Sequence, residues 1–314
     1  MANAPTLSTL AGKTVVVTGA SDGIGKAAVR AYVAAGASVV MIGRNEAKTA
    51  AAAQAILRDA GLTAGTEGRD RAITWEIADL SRQQEVHDVA DRLLARLPRI
   101  DVLANNAGAM FLDREVTPEG FERTFALNHL SYFTLTLRLL APLVAAARPG
   151  APSRVLNVSS RAHANARPAL DDLQLERHFG GWKQYANSKL YNIWFTRALA
   201  RRLDASRVAT QALHPGVVST RFATNNGLMG QLLRRAMDVM SVTPAQGADT
   251  LVWLSSAEAA LEGSGDYWRQ RRRVTPSGTA RDDARAEALW TTTSRLTGLD
   301  TDRLIRDAMT HAVA

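Results

Sequence analysis

The apolar positions of this chain switch between two periods, and the switch recurs along most of its length. Short β-branched or apolar runs at 14–18, 38–42, 73–77, 101–104, 154–158 and 208–214 have the length and composition of strands. Between them, alanine- and leucine-rich stretches over 23–35, 45–60, 81–97, 117–146 and 183–203 carry apolar residues at helical spacing. Asn45 stands where its side chain can cap the second helix. The strand runs are apolar at consecutive positions, as strands buried on both faces are. Strands that alternate with helices in this way must run parallel, with crossover helices on both faces of the sheet. The pattern predicts an α/β protein, a doubly wound parallel sheet in three layers, α/β/α. No Pro/Ser/Gly-rich linker and no internal repeat divides it, so residues 1–314 read as a single domain. Segment 61–72 reads as a loop, 263–282 as irregular and basic, and 263–314 as a C-terminal extension.

Composition narrows the function classes. With 314 residues, 46% hydrophobic and 22% charged, the chain can bury a large core. It has no cysteine, which excludes disulfides and thiolate metal sites and suits a reducing cytoplasm. The start, MANAPTLSTLAGK, lacks the basic segment and apolar core of a signal peptide. Helical stretches such as 126–147 carry Asn128, His129 and Arg138, so no transmembrane segment is expected and the protein reads as cytoplasmic. The net charge of +8 raises the question of a nucleic-acid partner. The densest basic run, 269–273 beside Tyr267 and Trp268, has Asp266, Asp282 and Asp283 nearby and reads as a solvated surface, so no nucleic acid is expected. The six histidines are scattered and none forms an H-x-x-x-H pair, so no metal site is expected.

Candidate chemistry begins at the first strand–helix junction. Gly19, Gly23 and Gly25 fall in TGASDGIG over 18–25, with Ser21, Asp22 and Ile24 in the same loop. Glycines there permit a tight turn and close approach of backbone to a pyrophosphate, which the helix N-terminus attracts. The spacing, T-G-x-x-x-G-x-G, differs from the general G-x-G-x-x-G fingerprint. At the end of the second strand an acidic residue would bind the ribose 2′-hydroxyl of NAD. The chain has Gly43-Arg44-Asn45 there instead. A guanidinium suits a 2′-phosphate, so NADP(H) is preferred over NAD(H). Asp79 and Leu80, after the third strand, are placed to flank the adenine.

Tyr185 and Lys189 stand four residues apart and so share a helix face. A cation beside a phenol favours the phenolate and lowers its pKa from about 10. The Y-x-x-x-K pattern is common by chance, and its weight comes from the company of TGASDGIG, NNAG at 105–108, Asn128 and NVSS ending at Ser160. With these residues, and with His214-Pro215-Gly216, the chain resembles the short-chain dehydrogenase/reductase family, in the family's order over roughly residues 12–220. Within it the chain is most similar to the retinol-dehydrogenase-like group, which includes relatives of light-dependent protochlorophyllide reductase. The residues behind this are GRN at 43–45, NVSSRAH at 157–163, YANSKLYNIWFTRALARRL at 185–203 and the stretch from 265 to 290.

The resemblance implies a Rossmann-type fold, an NAD(P)(H) cofactor and hydride transfer between carbonyl and alcohol. It implies that Tyr185 is the acid or base, that Lys189 lowers its pKa and binds the nicotinamide ribose, and that Ser160, rather than Ser159, orients the substrate oxygen. It implies that Asn128 holds a water in a proton relay. Asn106, Ala107 and Gly108 would support the cofactor, as would Pro215, Gly216, Val218 and Thr220 after the last strand. The 24 residues between Ser160 and Tyr185 exceed the family's common spacing. The insert, 164–184, is expected to form one wall of the substrate pocket, with a lid over 217–242 as the other. Leu170, Leu173, Phe179, Trp182, Phe222, Leu228 and Met229 suggest a bulky, hydrophobic carbonyl or alcohol substrate, with Arg167, Arg177 and Arg221 as the charged exceptions. In the family, the helices equivalent to 117–146 and 183–203 pair across a two-fold axis, which implies a homodimer, although members with long inserts and C-terminal extensions are also monomers. The alternative to an enzyme is a non-catalytic NADP(H)-binding regulatory protein, against which the complete Tyr/Lys/Ser/Asn set argues.

Overall fold

The β-branched runs become strands because each can be covered on both faces at once. They are β1 (Thr14–Thr18), β2 (Ser38–Gly43), β3 (Ile73–Ile77), β4 (Val102–Asn105), β5 (Ser153–Val158) and β6 (Val208–His214). The structure, a computed structural model, describes residues 10–62, 72–215 and 243–310. Two more strands, β7 (Asp266–Arg269) and β8 (Arg272–Arg273), complete a sheet of order β3-β2-β1-β4-β5-β6-β7-β8, parallel throughout except for β8. The helices between the strands are α1 (Gly23–Ala34), α2 (Glu46–Asp59), α3 (Gln83–Leu94), α4 (Arg123–Phe125), α5 (Ser131–Arg138), α6 (Leu140–Ala146), α7 (Gly181–Ala200) and α8 (Pro244–Leu254). The chain then runs into α9 (Asp283–Thr297) and α10 (Thr301–Thr310). Alternate residues of β1 divide between two cores. Val15 and Val17 meet Val29 and Tyr32 of α1 and Leu251 of α8, and Val16 faces Val86 and Val89 of α3. Asn45 caps α2, its Oδ1 accepting from the Lys48 amide at 2.8 Å.

The structure departs from the sequence pattern in four places. Strand β3 is not covered on both faces, because it is the sheet edge. Only Ile73 is fully buried, and Glu76 takes ion pairs from Arg92 and Arg96. The stretch 117–146 is not one helix. It begins at Arg123 under the Glu122 cap, widens into a π-turn over Ala126–Leu130, and bends by 59° after Arg138. Pro142 lacks the amide that would bond the Arg138 carbonyl, and its ring crowds that carbonyl. The region 263–282 is not irregular. β7 extends the parallel sheet, and Gln270 and Arg271, both at positive φ, turn the chain back into β8. Two left-handed residues form the turn whose twist suits a tight hairpin. The basic run is therefore an edge hairpin, with Arg271 paired to Asp249 and Arg273 to Asp266, and charge on an edge discourages further strand pairing.

The fourth departure is the C-terminal extension, which covers the long helices. Helix α9 lies along α7, and α10 lies on α5 and α6. Trp290 of α9 packs against the rings of Phe133 and Phe195, at 5.0 and 6.1 Å, under the Arg202 guanidinium at 4.2 Å. Arg197 and Arg201 reach Asp283, Arg201 reaches Glu287 at 2.7 Å, and Arg202 also pairs with Glu287. The Arg202 bond leads the group that draws the Glu287 carboxyl down to about 2. The apolar faces that the sequence offers to a second copy thus meet α9 and α10 of the same chain. Among the described residues no single helix is long and apolar enough to cross a membrane.

His129 sits at the centre of this packing, among the rings of Phe125, Phe133, Tyr191 and Phe195 at 5.5–6.4 Å. Its Nε2 lies 3.1 Å from the Thr293 hydroxyl of α9. Burial pushes its pKa down to about 3, so the folded protein holds it neutral. The unfolded chain binds that proton near pH ~6.5, so this group removes stability as pH falls from there towards the folded value. Urea unfolding at about pH 7 and about pH 5 should therefore show a smaller acid loss for His129→Phe than for the wild type. Equal acid losses would show that His129 is not held neutral by the fold.

Candidate active site

The carboxyl ends of β1, β4 and β5 meet above the sheet, and side-chain hydrogen bonds fix their spacing. The Thr18 hydroxyl accepts from the amides of Asn106 and Ala107, at 2.8 and 2.9 Å. Asn106 Nδ2 donates back to the Thr18 carbonyl at 2.9 Å. The glycine loop is thereby clamped to the NNAG turn. Gly19 has φ +64°, and a Cβ there would lie 2.8 Å from the Ala107 Cα. A Cβ at Gly25 would lie 2.3 Å from the Gly19 carbonyl oxygen and 2.7 Å from Asn106 Nδ2. Only glycine fits either position. Gly23 opens α1 with its amide bonded to Asp22 Oδ1 at 2.8 Å, and the other Asp22 oxygen takes the Lys48 ammonium at 2.8 Å. Ser21 and Ile24 complete the turn, Ile24 packing on the core beside α1. The turn leads straight into the first N–H groups of α1, an arrangement suited to a pyrophosphate.

Lys189 is brought to this edge by α7, which is buried along nearly its whole length. Its Nζ donates to the Val158 carbonyl at 3.1 Å, 5.6 Å from the Tyr185 ring centre and 5.9 Å from that of Tyr132. A Cβ on Gly108 would lie 3.2 Å from both Lys189 Nζ and Asn128 Oδ1, so the NNAG backbone passes directly beside them. The π-turn carries Asn128 inward, and such turns often mark functional sites. The Asn128 amide bonds both backbone groups of Ala109, each at 2.9 Å, and donates to Ser188 Oγ at 3.0 Å. Ser160 hydrogen-bonds Tyr185, whereas Ser159 donates to the Lys189 carbonyl at 2.7 Å and anchors the helix. The two serines therefore do different work.

Burial governs both titrating groups. It raises the Tyr185 phenol to about 12, with the Ser160 bond drawing it partly back, and lowers the Lys189 ammonium to about 7. The lowering of the phenol by Lys189 expected from the sequence is not found: burial raises the phenol, and Ser160 rather than Lys189 draws it back.

The other cofactor candidates fall into three groups. Arg44 is exposed after β2 and makes no ion pair among the described residues, while Asn45 is engaged as a cap. Asp79 Oδ1 accepts from the amide and hydroxyl of Ser81 with the side chain half-buried, and Leu80 is buried in the core. Pro215 follows β6, while Gly216, Val218 and Thr220 lie outside the described residues, as do the lid at 217–242 and its Arg221, Phe222, Leu228 and Met229.

The insert is held over the site by a buried carboxylate. Glu122 accepts from the amides of Thr124 and Phe125 and from Gln184 Nε2, at 2.7–2.9 Å. Gln184 also donates to the Leu173 carbonyl at 3.2 Å, and Gln174 Oε1 accepts from the Glu122 amide at 2.7 Å. Leu173 is buried with Tyr185, and Trp182 stays half exposed with its ring 5.9 Å from the Tyr185 ring. Arg177 is paired with Asp171 and Asp172, and Arg167 donates to the carbonyls of Ala164 and Ala166. The sequence reading missed Thr18, Glu122, Tyr132 and His163. Thr18 stands inside the glycine motif and could have been found there. The others are recognisable only once the elements are assembled.

The chain matches the short chain dehydrogenase family over residues 13–229. It is 36% identical to human retinol dehydrogenase 12 over 290 residues, spanning 92% of this chain and 88% of that protein. It is 37% identical over 295 residues to DnrU of Streptomyces sp. (strain C5), a protein named for daunorubicin C-13 ketoreduction, spanning 94% and 95%. A crystal structure of an uncharacterized protein from Mycobacterium Paratuberculosis superimposes with a TM-score of 0.72 at 30% identity, covering 94% of this chain and 97% of that one. Two structures at 24% identity share the fold: RhlG of Pseudomonas aeruginosa with NADP, at TM-score 0.64 and coverage of 83% and 95%, and a Brucella melitensis 3-ketoacyl-(acyl-carrier-protein) reductase with NADH, at 0.63 and coverage of 82% and 96%. The glycine cradle and the Lys189–Gly108 approach fit such a dinucleotide. Replacing Gly25 by Ala should drive its Cβ into the Gly19 carbonyl and weaken nicotinamide-dinucleotide binding by about tenfold or more in a fluorescence titration. Unchanged affinity would show that this loop does not hold the cofactor.

Proposed function

We propose that this chain, which belongs to the short-chain dehydrogenase family and within it to the retinol-dehydrogenase-like group, uses NADP(H) to interconvert a carbonyl and an alcohol on a bulky, mostly apolar skeleton. The family and its relatives make it a carbonyl–alcohol oxidoreductase with a nicotinamide cofactor. The observation that carries the reading is the buried Ser160–Tyr185 hydrogen bond beside Lys189. The cofactor supplies or accepts the hydride. In reduction, Tyr185 gives its proton to the carbonyl oxygen, and Ser160 holds that oxygen in line. A phenol kept protonated by burial is ready for that direction. Lys189, lowered to about 7, exchanges protons readily near neutral pH and can restore the phenol.

Arg44 supports the preference for NADP(H). It is exposed just after β2, and no acidic residue occupies 43–45, where one would select a 2′-hydroxyl over a 2′-phosphate. The half-exposed Trp182 beside Tyr185, with Leu173 behind it, supports the bulky apolar substrate. The α9 and α10 packing supports a monomer, because it covers the helix faces that a two-fold dimer would use.

Tyr185→Phe keeps the ring and removes the proton. Ketone reduction should fall by about 10²–10⁴-fold, with NADPH affinity changed by less than about threefold. Near-normal turnover would remove Tyr185 from the chemistry. Arg44→Ala should weaken NADPH binding by roughly 1–3 kcal/mol and leave NADH binding nearly unchanged. Equal wild-type affinity for the two cofactors would overturn the assignment. Light scattering at micromolar concentration should give one species of 33.8 kDa, and a species of twice that mass would reject the monomer.

A further inference from the structure

We propose that Tyr267 and His214 form a second oxygen-binding pole in the substrate site, which holds a second carbonyl or phenolic oxygen on the skeleton being reduced. The proposal rests on the carbonyl-reductase reading above and specifies its substrate.

The sheet register aims both side chains at the catalytic helix. Asn157, Ala212 and Tyr267 are direct neighbours across β5, β6 and β7. Directly paired residues of parallel strands point to the same face. Asn157 Nδ2 bonds Thr196 of α7 at 2.9 Å, so this is the α7 face. Trp268, the next residue, belongs to the opposite core, and Tyr267 is buried in the cluster that contains Tyr185. His214 follows Ala212 by two residues and shares its face.

Both side chains are buried, and each keeps a polar atom without a partner among the described residues. Tyr267 is 5% exposed and His214 3%, and the Tyr267 hydroxyl and His214 Nδ1 have no partner among the described residues. Leaving such atoms unpaired is costly, and native proteins rarely do so without a reason. His214 is the last residue of β6, and Tyr267 stands on the neighbouring strand in register with Ala212, two residues short of that end; open α/β sheets bind ligands beyond the carboxyl ends of their strands. The Tyr267 ring meets His163 edge-on at 5.0 Å. His163 Nε2 accepts from the Ser277 amide at 3.2 Å, so Nδ1 carries the proton and donates to the Ser160 carbonyl at 2.7 Å. One imidazole therefore joins the pole to the residue that orients the reacting oxygen.

The charge of the site selects the ligand. Burial raises the Tyr267 phenol, so it remains a hydrogen-bond donor. His214 is kept neutral by burial and by the charges of Arg269 and Arg161. Arg161 and Arg269 act on both groups, and neither makes an ion pair among the described residues. Tyr185 also faces Tyr267, as a neutral phenol. A positive, donor-bearing pole suits an electron-rich oxygen and gives nothing to a hydrocarbon.

The test compares two ketones of one skeleton, decalone and decalindione, with the full-length wild type and Tyr267→Phe. Wild type should reduce decalindione with kcat/KM about tenfold or more above decalone. Tyr267→Phe should lose that preference, with decalone kinetics and NADPH affinity unchanged. Equal wild-type efficiencies, or equal loss on both ketones, would overturn the pole. A fall in NADPH affinity would assign Tyr267 to the cofactor and overturn it as well. If wild type binds NADPH but reduces neither ketone, the carbonyl-reductase reading fails instead. Calorimetric binding of the two ketones to the NADP-loaded proteins then decides the pole, which requires tighter decalindione binding that Tyr267→Phe abolishes.

Discussion

Helix α7 must lie where its polar residues can enter a dry interior, and buried side-chain hydrogen bonds set that place. Asn105 bonds Thr136 and Asn157, and Asn157 bonds Thr196, so a row of amides and hydroxyls crosses from β4 and β5 to α5 and α7. Ser159 holds the Lys189 carbonyl, and Lys189 holds the Val158 carbonyl. Each such bond contributes only about 0.5–1.5 kcal/mol net, but an unpaired member would cost about 1–3 kcal/mol. Apolar contact alone would let the helix slide. These bonds admit one register, and that register sets Tyr185 against Ser160.

The same interior sets the chemistry. Water is excluded from the phenol and the amine, so each is driven towards its neutral form. The proposed proton donor, Tyr185, is thereby kept protonated at neutral pH, and Lys189 is brought to about 7. Glu122 ties the insert down through Gln184, which also bonds the Leu173 carbonyl. Glu122 also caps α4, so the pocket wall and the π-turn bearing Asn128 share one anchor.

The C-terminal extension covers the helices α5, α6 and α7. Trp290 fills the hollow between Phe133 and Phe195, and Arg197, Arg201 and Arg202 bind the acidic face of α9. Most of these ion pairs are partly solvated and contribute about 0–1 kcal/mol each, so the aromatic packing dominates. The extension also supplies β7, and with it Tyr267, to the site.

The doubly wound architecture was legible in the residues themselves, because apolar period and strand length admit few other arrangements. The glycine loop, NNAG, Ser160, Tyr185 and Lys189 were legible too, since a tight turn, a pyrophosphate cradle and a proton donor each demand particular residue types at local spacing. Four features were not. The edge position of β3 depends on strand order, which no local run reports. The hairpin at 270–271 forms in a stretch that reads as irregular and basic, and it needs β6 to pair with. The direction in which burial moves Tyr185 and Lys189 depends on how dry α7 becomes, which no i, i+4 spacing reports. The roles of Glu122, His163 and Tyr267 arise from contacts between residues 50 to more than 100 positions apart in the chain. Local pattern determines which elements form and which groups can react; long-range packing decides which of those groups are desolvated, paired or left facing a ligand.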